Sequence, residues 1–154
     1  MITVVQRVLR AAVVVDGEEV ATIGHGALLL VGVEVSDTEA DALATADKIA
    51  KLRFFPGATP MDRTLADVGG ACLVVSQFTL PAALAKGNRP SFTAAAPPEH
   101  AERLWLRVAD ALRATGLPVG LGRFRAHMQV SLVNDGPVTF LVRARDGRIQ
   151  QHGV

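Results

Sequence analysis

Ile2-Thr3-Val4-Val5-Gln6-Arg7-Val8-Leu9-Arg10-Ala11-Ala12-Val13-Val14-Val15, then Asp16-Gly17, then Val20-Ala21-Thr22-Ile23, is the stretch that decides the fold. It mixes β-branched residues with period-two alternation, which suits a pleated, half-buried backbone. Asp-Gly supplies the backbone angles of a tight hairpin turn. Two antiparallel strands are therefore expected to open the chain. Gly26-Ala27-Leu28-Leu29-Leu30-Val31-Gly32-Val33-Glu34 follows and is apolar at both parities, as in a strand covered on both faces.

Further along, Ser36 and Glu39 have the spacing of a capping box, and Leu43, Ala46, Ile49 and Ala50 form an apolar stripe bordered by charge. A helix is expected over about 37–52, closed by Pro56, Gly57 and Pro60. Cys72-Leu73-Val74-Val75-Ser76 reads as another buried strand, followed by a polar segment over about 79–97 that is long enough to suggest function. A second helix starts near Pro98, with Ala101, Leu104, Trp105, Val108, Ala111 and Leu112 on one face and Gly116 and Pro118 as its stop. The chain closes with Met128-Gln129-Val130-Ser131-Leu132-Val133, a turn at Asn134-Asp135-Gly136, and Pro137-Val138-Thr139-Phe140-Leu141-Val142, read as a terminal hairpin. Consecutive strands with only two helices favour an α+β fold, with a mostly antiparallel or mixed, barrel-like sheet, over a strict βαβ alternation. No repeat or linker divides the sequence, so residues 1–154 are expected to be one domain, with 145–154 as a mobile end.

Composition agrees with an ordinary globular domain: 154 residues, 49% hydrophobic, 20% charged, mean hydropathy +0.29. Disorder is excluded on these grounds. The longest apolar runs, 27–31 and 71–75, fall far short of the roughly 20 residues a membrane span needs, and the N-terminus lacks a signal-peptide layout. The expectation is a soluble, cytoplasmic protein with no membrane partner. The net charge of +1 conceals an asymmetry: residues 1–85 carry 6 basic and 10 acidic side chains, and residues 86–154 carry 10 and 5. A modest, arginine-rich basic face is thus possible in the second half.

The motifs that are missing constrain the chemistry. The sequence has no Gly-x-Ser-x-Gly elbow, phosphate loop, dinucleotide fingerprint or clustered His/Asp/Glu ligand set. No metal or cofactor is expected. Cys72 rules out an internal disulfide, and within an apolar run it reads as a small buried hydrophobe, not a thiolate. His25 lies in a turn between glycines, His100 in a first helical turn and His152 in a polar tail. His127 precedes a strand and could approach a site, but the sequence pairs it with no nucleophile.

Two polar segments are more informative. In Ser76-Gln77-Phe78-Thr79-Leu80 the backbone leaves an apolar strand, so its N–H groups become available to a ligand or to a self-capping turn. In Asn134-Asp135-Gly136-Pro137-Val138-Thr139 a proline stands between two strands, and X-Pro bonds are the ones with a realistic chance of being cis.

Together with Lys86-Gly87-Asn88-Arg89-Pro90-Ser91-Phe92, with Met128 through Phe140, and with the N-terminal Met1-Ile2, Gln6-Arg7-Val8 and Gly24-x-Gly26 pattern, these segments resemble the D-aminoacyl-tRNA deacylase family over nearly the whole chain. The resemblance implies a homodimeric hydrolase that cleaves the ester joining a D-amino acid, or glycine, to the 3′ end of tRNA, with DNA not expected as a partner. It assigns Ser76, Gln77, Phe78 and Thr79 to the catalytic pocket. Gly136 and Pro137, in cis and inserted from the neighbouring subunit, would be the chirality gauge; Arg7 would hold their carbonyls and Met128 would help form the adenosine-side wall.

An aminoacyl ester is already activated, so a water-excluding site with backbone donors and the substrate's 2′-hydroxyl could suffice, without a triad. Thr79 as a covalent nucleophile is the competing version. Two other readings stay open: a related deacylase editing a small L-amino acid, against which Phe78 and Val138-Thr139-Phe140 speak, and a non-catalytic nucleic-acid-binding dimer. Pro60-Met61-Asp62, where the family pattern has Lys-Met-Asn, and the long tail depart from the resemblance.

Overall fold

The computed structural model describes residues 1–151. Its element order is β1 (Ile2–Val15), β2 (Glu18–Ile23), β3 (Gly26–Gly32), α1 (Glu39–Lys51), β4 (Ala71–Ser76), α2 (Pro98–Ala114), β5 (Val119–Leu121), β6 (Gln129–Arg145) and β7 (Arg148–Ile149). The strands form one curled mixed sheet, a half-barrel, in the order β5-β4-β3-β1-β6-β7, with β2 paired to the far half of β1. β3, β4 and β5 run parallel and are joined by α1 and α2; the other pairs are antiparallel. The α+β expectation holds, as do the opening hairpin and both helices. No helix among the described residues is long and apolar enough to cross a membrane.

Both faces of the central strands are buried, because each parity of β3 and β4 meets a different cluster. Ala27, Leu29, Val31, Cys72 and Val74 pack under the helices against Ile49, Leu104, Val108 and Leu112. Leu28, Leu73 and Val75 instead meet Val8, Ala11, Val13 and Ile23 inside the curl. β1 can serve both clusters because its pairing with β6 shifts between Gln6 and Val8 and again between Val8 and Arg10: Val5 lies in the first cluster, and Val8 and Ala11 in the second. Gly26 is required where β3 meets β4, since a Cβ there would collide with the backbone of Ala71.

Four details differ from the sequence expectation. The capping box of α1 is built by Thr38 and Asp41, not Ser36 and Glu39; the Asp41 carboxylate accepts from the Thr38 N–H at 2.9 Å. Asp37 is thereby freed to turn inward, where it and Glu34 pair with the buried Met1 ammonium. The buried face of α1 is Ala42, Thr45, Ala46 and Ile49, with Leu43 at its edge, because small residues let the helix sit close over Met1 and the sheet.

The terminal hairpin at Asn134-Asp135-Gly136 does not form. β6 is one 17-residue strand, and both of its halves pair with the 14-residue β1, which offers an edge long enough to take the whole segment. The Asn134 side chain donates to the carbonyls of Arg7 and Val138 (2.8 and 3.1 Å), so it bridges the irregularity and does not close a turn. The actual last hairpin turns at Asp146-Gly147. The stretch expected to be mobile from Arg145 onward pairs Ala144 with Ile149 and Arg145 with Arg148, and the Gly147 N–H donates to Asp41 at 2.9 Å. His152 and the last two residues lie outside the described residues.

Candidate active site

At the end of β4 the chain leaves the core. Gln77 N–H still donates to Val31 O (2.8 Å), and Leu80 N–H turns back to Gln77 O (3.2 Å). Between them, among the described residues, the N–H groups of Phe78 and Thr79 meet no protein acceptor. Gln77 Nε2 donates to Thr79 Oγ1 at 2.6 Å and ties the two side chains together. Among the described residues, no carboxylate or imidazole bonds to the Thr79 hydroxyl.

Gln77 and Phe78 border a cavity of about 690 Å³, a size that suits a small molecule or a nucleoside ester. Ser76, Gln77 and Phe78 form one wall, and Phe92, Ala95 and Pro97 from the 79–97 segment form another. Phe78 and Phe92 lean on each other with ring centroids 5.3 Å apart. Trp105 of α2 and Phe124, 5.6 Å apart, close the apolar end, and Met128 and Val130 complete the lining. The Trp105 indole N–H is buried and, among the described residues, has no acceptor. No Asp or Glu lines the cavity.

Of the residues singled out from the sequence, Ser76, Gln77, Phe78 and Met128 share this cavity, and Thr79 is bonded to Gln77 at its edge. Arg7, Gly136 and Pro137 do not line it; they sit together elsewhere on the β1–β6 pair. The Gly136-Pro137 peptide is cis. A Cβ on Gly136 would collide with the Val138 nitrogen, so only glycine fits there. Arg7 Nε donates to the carbonyl of Asp135, the residue before Gly136, at 2.8 Å, and lies 3.2 Å from the Asp135 carboxylate. Its Nη1 donates to Phe54 O at 2.8 Å. Arg7 thus clamps the approach to the Gly-Pro pair through Asp135. His25 packs edge-on against Phe55 and is 3.9 Å from Asp135.

Cys72 is fully buried, and burial pushes its thiol up to about 12. It supplies no thiolate at neutral pH. Sequence reasoning missed Trp105 and Phe124 as cavity residues, since a Trp on a helical stripe reads simply as core. The available signal was Arg123-Phe124-Arg125-Ala126-His127-Met128, in which exposed basic residues alternate with half-buried ones. His127, left without a partner in the sequence, does line the cavity.

The chain has close relatives with the same architecture. It is 53% identical over 148 residues to a D-aminoacyl-tRNA deacylase of Heliobacterium modesticaldum, covering 96% of this chain and 99% of that one. It is 56% identical over 140 residues to a D-aminoacyl-tRNA deacylase of Thermomicrobium roseum, covering 90% and 91%. Among solved structures, one titled c-Myc DNA Unwinding Element Binding Protein superposes with a TM-score of 0.88 at 39% identity, over 94% of this chain and 99% of the other. A probable eukaryotic D-amino acid tRNA deacylase superposes at 0.77 with 14% identity, a likeness of fold, over 91% and 97%. Residues 4–143 match the family described as D-Tyr-tRNA(Tyr) deacylase, and the chain belongs to that family.

Proposed function

We propose that the cavity at Ser76–Thr79 is where this enzyme, a hydrolase of D-aminoacyl-tRNA esters like its relatives, cleaves its substrate. The observation that carries the reading is the pair of free N–H groups on Phe78 and Thr79, at the edge of a cavity without a carboxylate. As water adds to the ester carbonyl, negative charge gathers on the carbonyl oxygen. Two fixed amide donors would meet it, each typically supplying roughly 2.7–4 kcal/mol of barrier reduction. The C–O bond to the ribose then breaks, and the 3′-oxygen leaves with a proton ultimately derived from the attacking water. The neighbouring 2′-hydroxyl of the tRNA orients or activates that water, a role for which no side chain bonded to Thr79 is available.

Stereochemical selection falls to Gly136 and Pro137. They stand six or seven residues beyond Val130, the cavity-lining residue on the same strand, roughly 20 Å away at the usual rise per residue. Their own cavity is out of reach, which supports delivery of the cis pair into the pocket of a second copy, in a homodimer. There the two carbonyls would leave no room for the side chain of an L-amino acid, while glycine, lacking a side chain, passes. The test is incubation of the protein with matched D- and L-aminoacyl-tRNAs and with glycyl-tRNA, following ester loss. Rapid loss of the D and glycyl esters with the L ester spared is expected; equal loss of D and L, or none, overturns the reading.

A further inference from the structure

Most of the cavity wall comes from two stretches of chain that contain no acidic residue, 68–98 and 111–134, and Val31 and Val33 of β3 with Ala101 and Trp105 of α2 supply the rest. The carboxylates nearest in sequence to the lining residues, Glu34, Asp67, Glu99, Glu102, Asp110 and Asp135, line none of it, and Glu34 is paired with the Met1 ammonium. The same stretches carry five cations. One is spent internally: Arg113 lies 3.5 Å from Asp110 and donates to Val119 O. The other four, Lys86, Arg89, Arg123 and Arg125, are exposed and have neither a hydrogen-bond acceptor nor an ion-pair partner among the described residues. Elsewhere Arg7, Lys51, Arg53 and Arg107 are each paired with a carboxylate.

These four stand on the two stretches that line most of the cavity, whereas the other cations without such a partner among the described residues, Arg10, Lys48, Arg63, Arg143, Arg145 and Arg148, lie outside them. Arg125 is part of its lining, and Arg123 is across Phe124 from it in a turn closed by Ala126 N–H to Arg123 O at 3.2 Å. Arg125 takes φ 64°, a left-handed backbone uncommon outside glycine, which turns the chain sharply at that residue. In the other stretch, Ala83 and Ser91 exchange backbone hydrogen bonds (2.8 and 3.0 Å) and pinch off the loop that carries Lys86 and Arg89. Phe92, next to Ser91, lines the cavity, so Arg89 lies within about 10 Å of it along the chain.

We infer that Lys86 and Arg89 on one side of the mouth and Arg123 and Arg125 on the other form a cationic rim for the phosphodiesters just 5′ of the terminal nucleoside. This rests on the aminoacyl-tRNA reading of the cavity and extends it from the ester to the strand that carries it. A nucleoside ester in an acid-free cavity must leave through a mouth that faces the next phosphates. Two pairs of unneutralised cations stand on the stretches that supply most of the cavity wall, while the chain as a whole is nearly neutral at +1. The grip is therefore local and limited to a few phosphates.

The experiment uses the full chain, a fluorescent uncharged RNA minihelix with a 3′ CCA end, D-aminoacyl-tRNA, and D-aminoacyl-adenosine, which has no phosphate. Four single-strand phosphate contacts give a slope of log affinity against log salt of about −2.8, roughly a 50-fold loss of binding between 50 and 200 mM salt. Lys86→Gln with Arg89→Gln, and separately Arg123→Gln with Arg125→Asn, should each flatten that slope by about 1.4. Asn at 125 respects the left-handed backbone, and a circular dichroism melt verifies folding. Each pair should lower kcat/KM on D-aminoacyl-tRNA at least tenfold more than on D-aminoacyl-adenosine. Unchanged slopes in both variants, or equal losses on the two substrates, overturn the rim. A parent that binds the minihelix with the steep slope yet cleaves neither ester keeps the rim and overturns the catalytic reading; a parent that cleaves both esters with a flat slope does the reverse.

Discussion

Thr79 is the side chain on which the mechanism divides. Its hydroxyl oxygen accepts from Gln77 Nε2 at 2.6 Å, and among the described residues no base is bonded to it to draw off its proton. Thr79→Ala is therefore expected to deacylate D-aminoacyl-tRNA within roughly threefold of the parent, since the N–H that does the work belongs to the backbone; loss of a covalent nucleophile would instead cost on the order of a thousandfold or more. A tRNA ending in 2′-deoxyadenosine should be cleaved about 100-fold or more slowly, in line with loss of one positioned proton-handling group. Single-turnover rates on the two substrates check both halves, and undiminished cleavage of the deoxy substrate would remove the 2′-hydroxyl from the mechanism. The chemistry at this residue was only half legible in the sequence. Ser76-Gln77-Phe78-Thr79 names the residues, but whether the amides of Phe78 and Thr79 are spent in a turn depends on where Gln77 and Leu80 find partners.

At the scale of elements, Asp41 joins the start of α1 to the β6–β7 turn. It is 2% exposed and accepts from the N–H groups of Thr38 and Gly147, both at 2.9 Å. Burial works to raise its pKa, but the two backbone donors outweigh it and hold the carboxyl below its ordinary 3.8. A carboxylate depressed in this way stabilises the fold at pH above 3.8, and that contribution is lost as pH falls through the lowered folded value. Asp41→Asn is expected to cost about 1–2 kcal/mol at pH 7, through a weakened cap and a lost acceptor, and less near pH 3. Urea unfolding at the two pH values measures the difference, and an equal cost at both would show that the charge contributes nothing. The tail that joins Asp41 reads as a free end in sequence, because the donor is a backbone N–H at Gly147 and no side-chain pattern announces it. The mistaken terminal hairpin has a similar origin: Asn134-Asp135-Gly136 has the residues of a turn, yet the length of β1 made continuous pairing available on both sides of it.

For the whole molecule, the separation of Gly136-Pro137 from the Phe78 pocket becomes a test of assembly. A mass near twice 16.2 kDa is expected in sedimentation. Pro137→Ala should admit L-aminoacyl-tRNA, and Phe78→Ala should be inactive through loss of the pocket wall. Added in about tenfold excess, Phe78→Ala chains would draw Pro137→Ala chains into mixed dimers, where the competent pocket receives an intact proline from its partner. Hydrolysis of the L ester should then fall roughly tenfold while hydrolysis of the D ester persists; continued L hydrolysis would place the gauge and the pocket in one chain.

What the sequence determined by itself was the set of local tendencies. Period-two runs, an Asp-Gly turn and helical stripes depend on neighbours a few residues away, so the first hairpin, both helices and the buried β3 and β4 could be read directly. The four polar residues ending β4 were legible for the same reason. The tertiary structure alone decided which edge β6 would pair with, that Trp105 and Phe124 would close the cavity against Phe78 and Phe92, and that Arg7 would hold Asp135 instead of Gly136. It also brought residues of two acid-free stretches, on either side of α2 in the chain, into the wall of one cavity. Those outcomes follow from competition between long-range partners for hydrogen bonds and buried area, and each residue's own neighbourhood is silent about who wins.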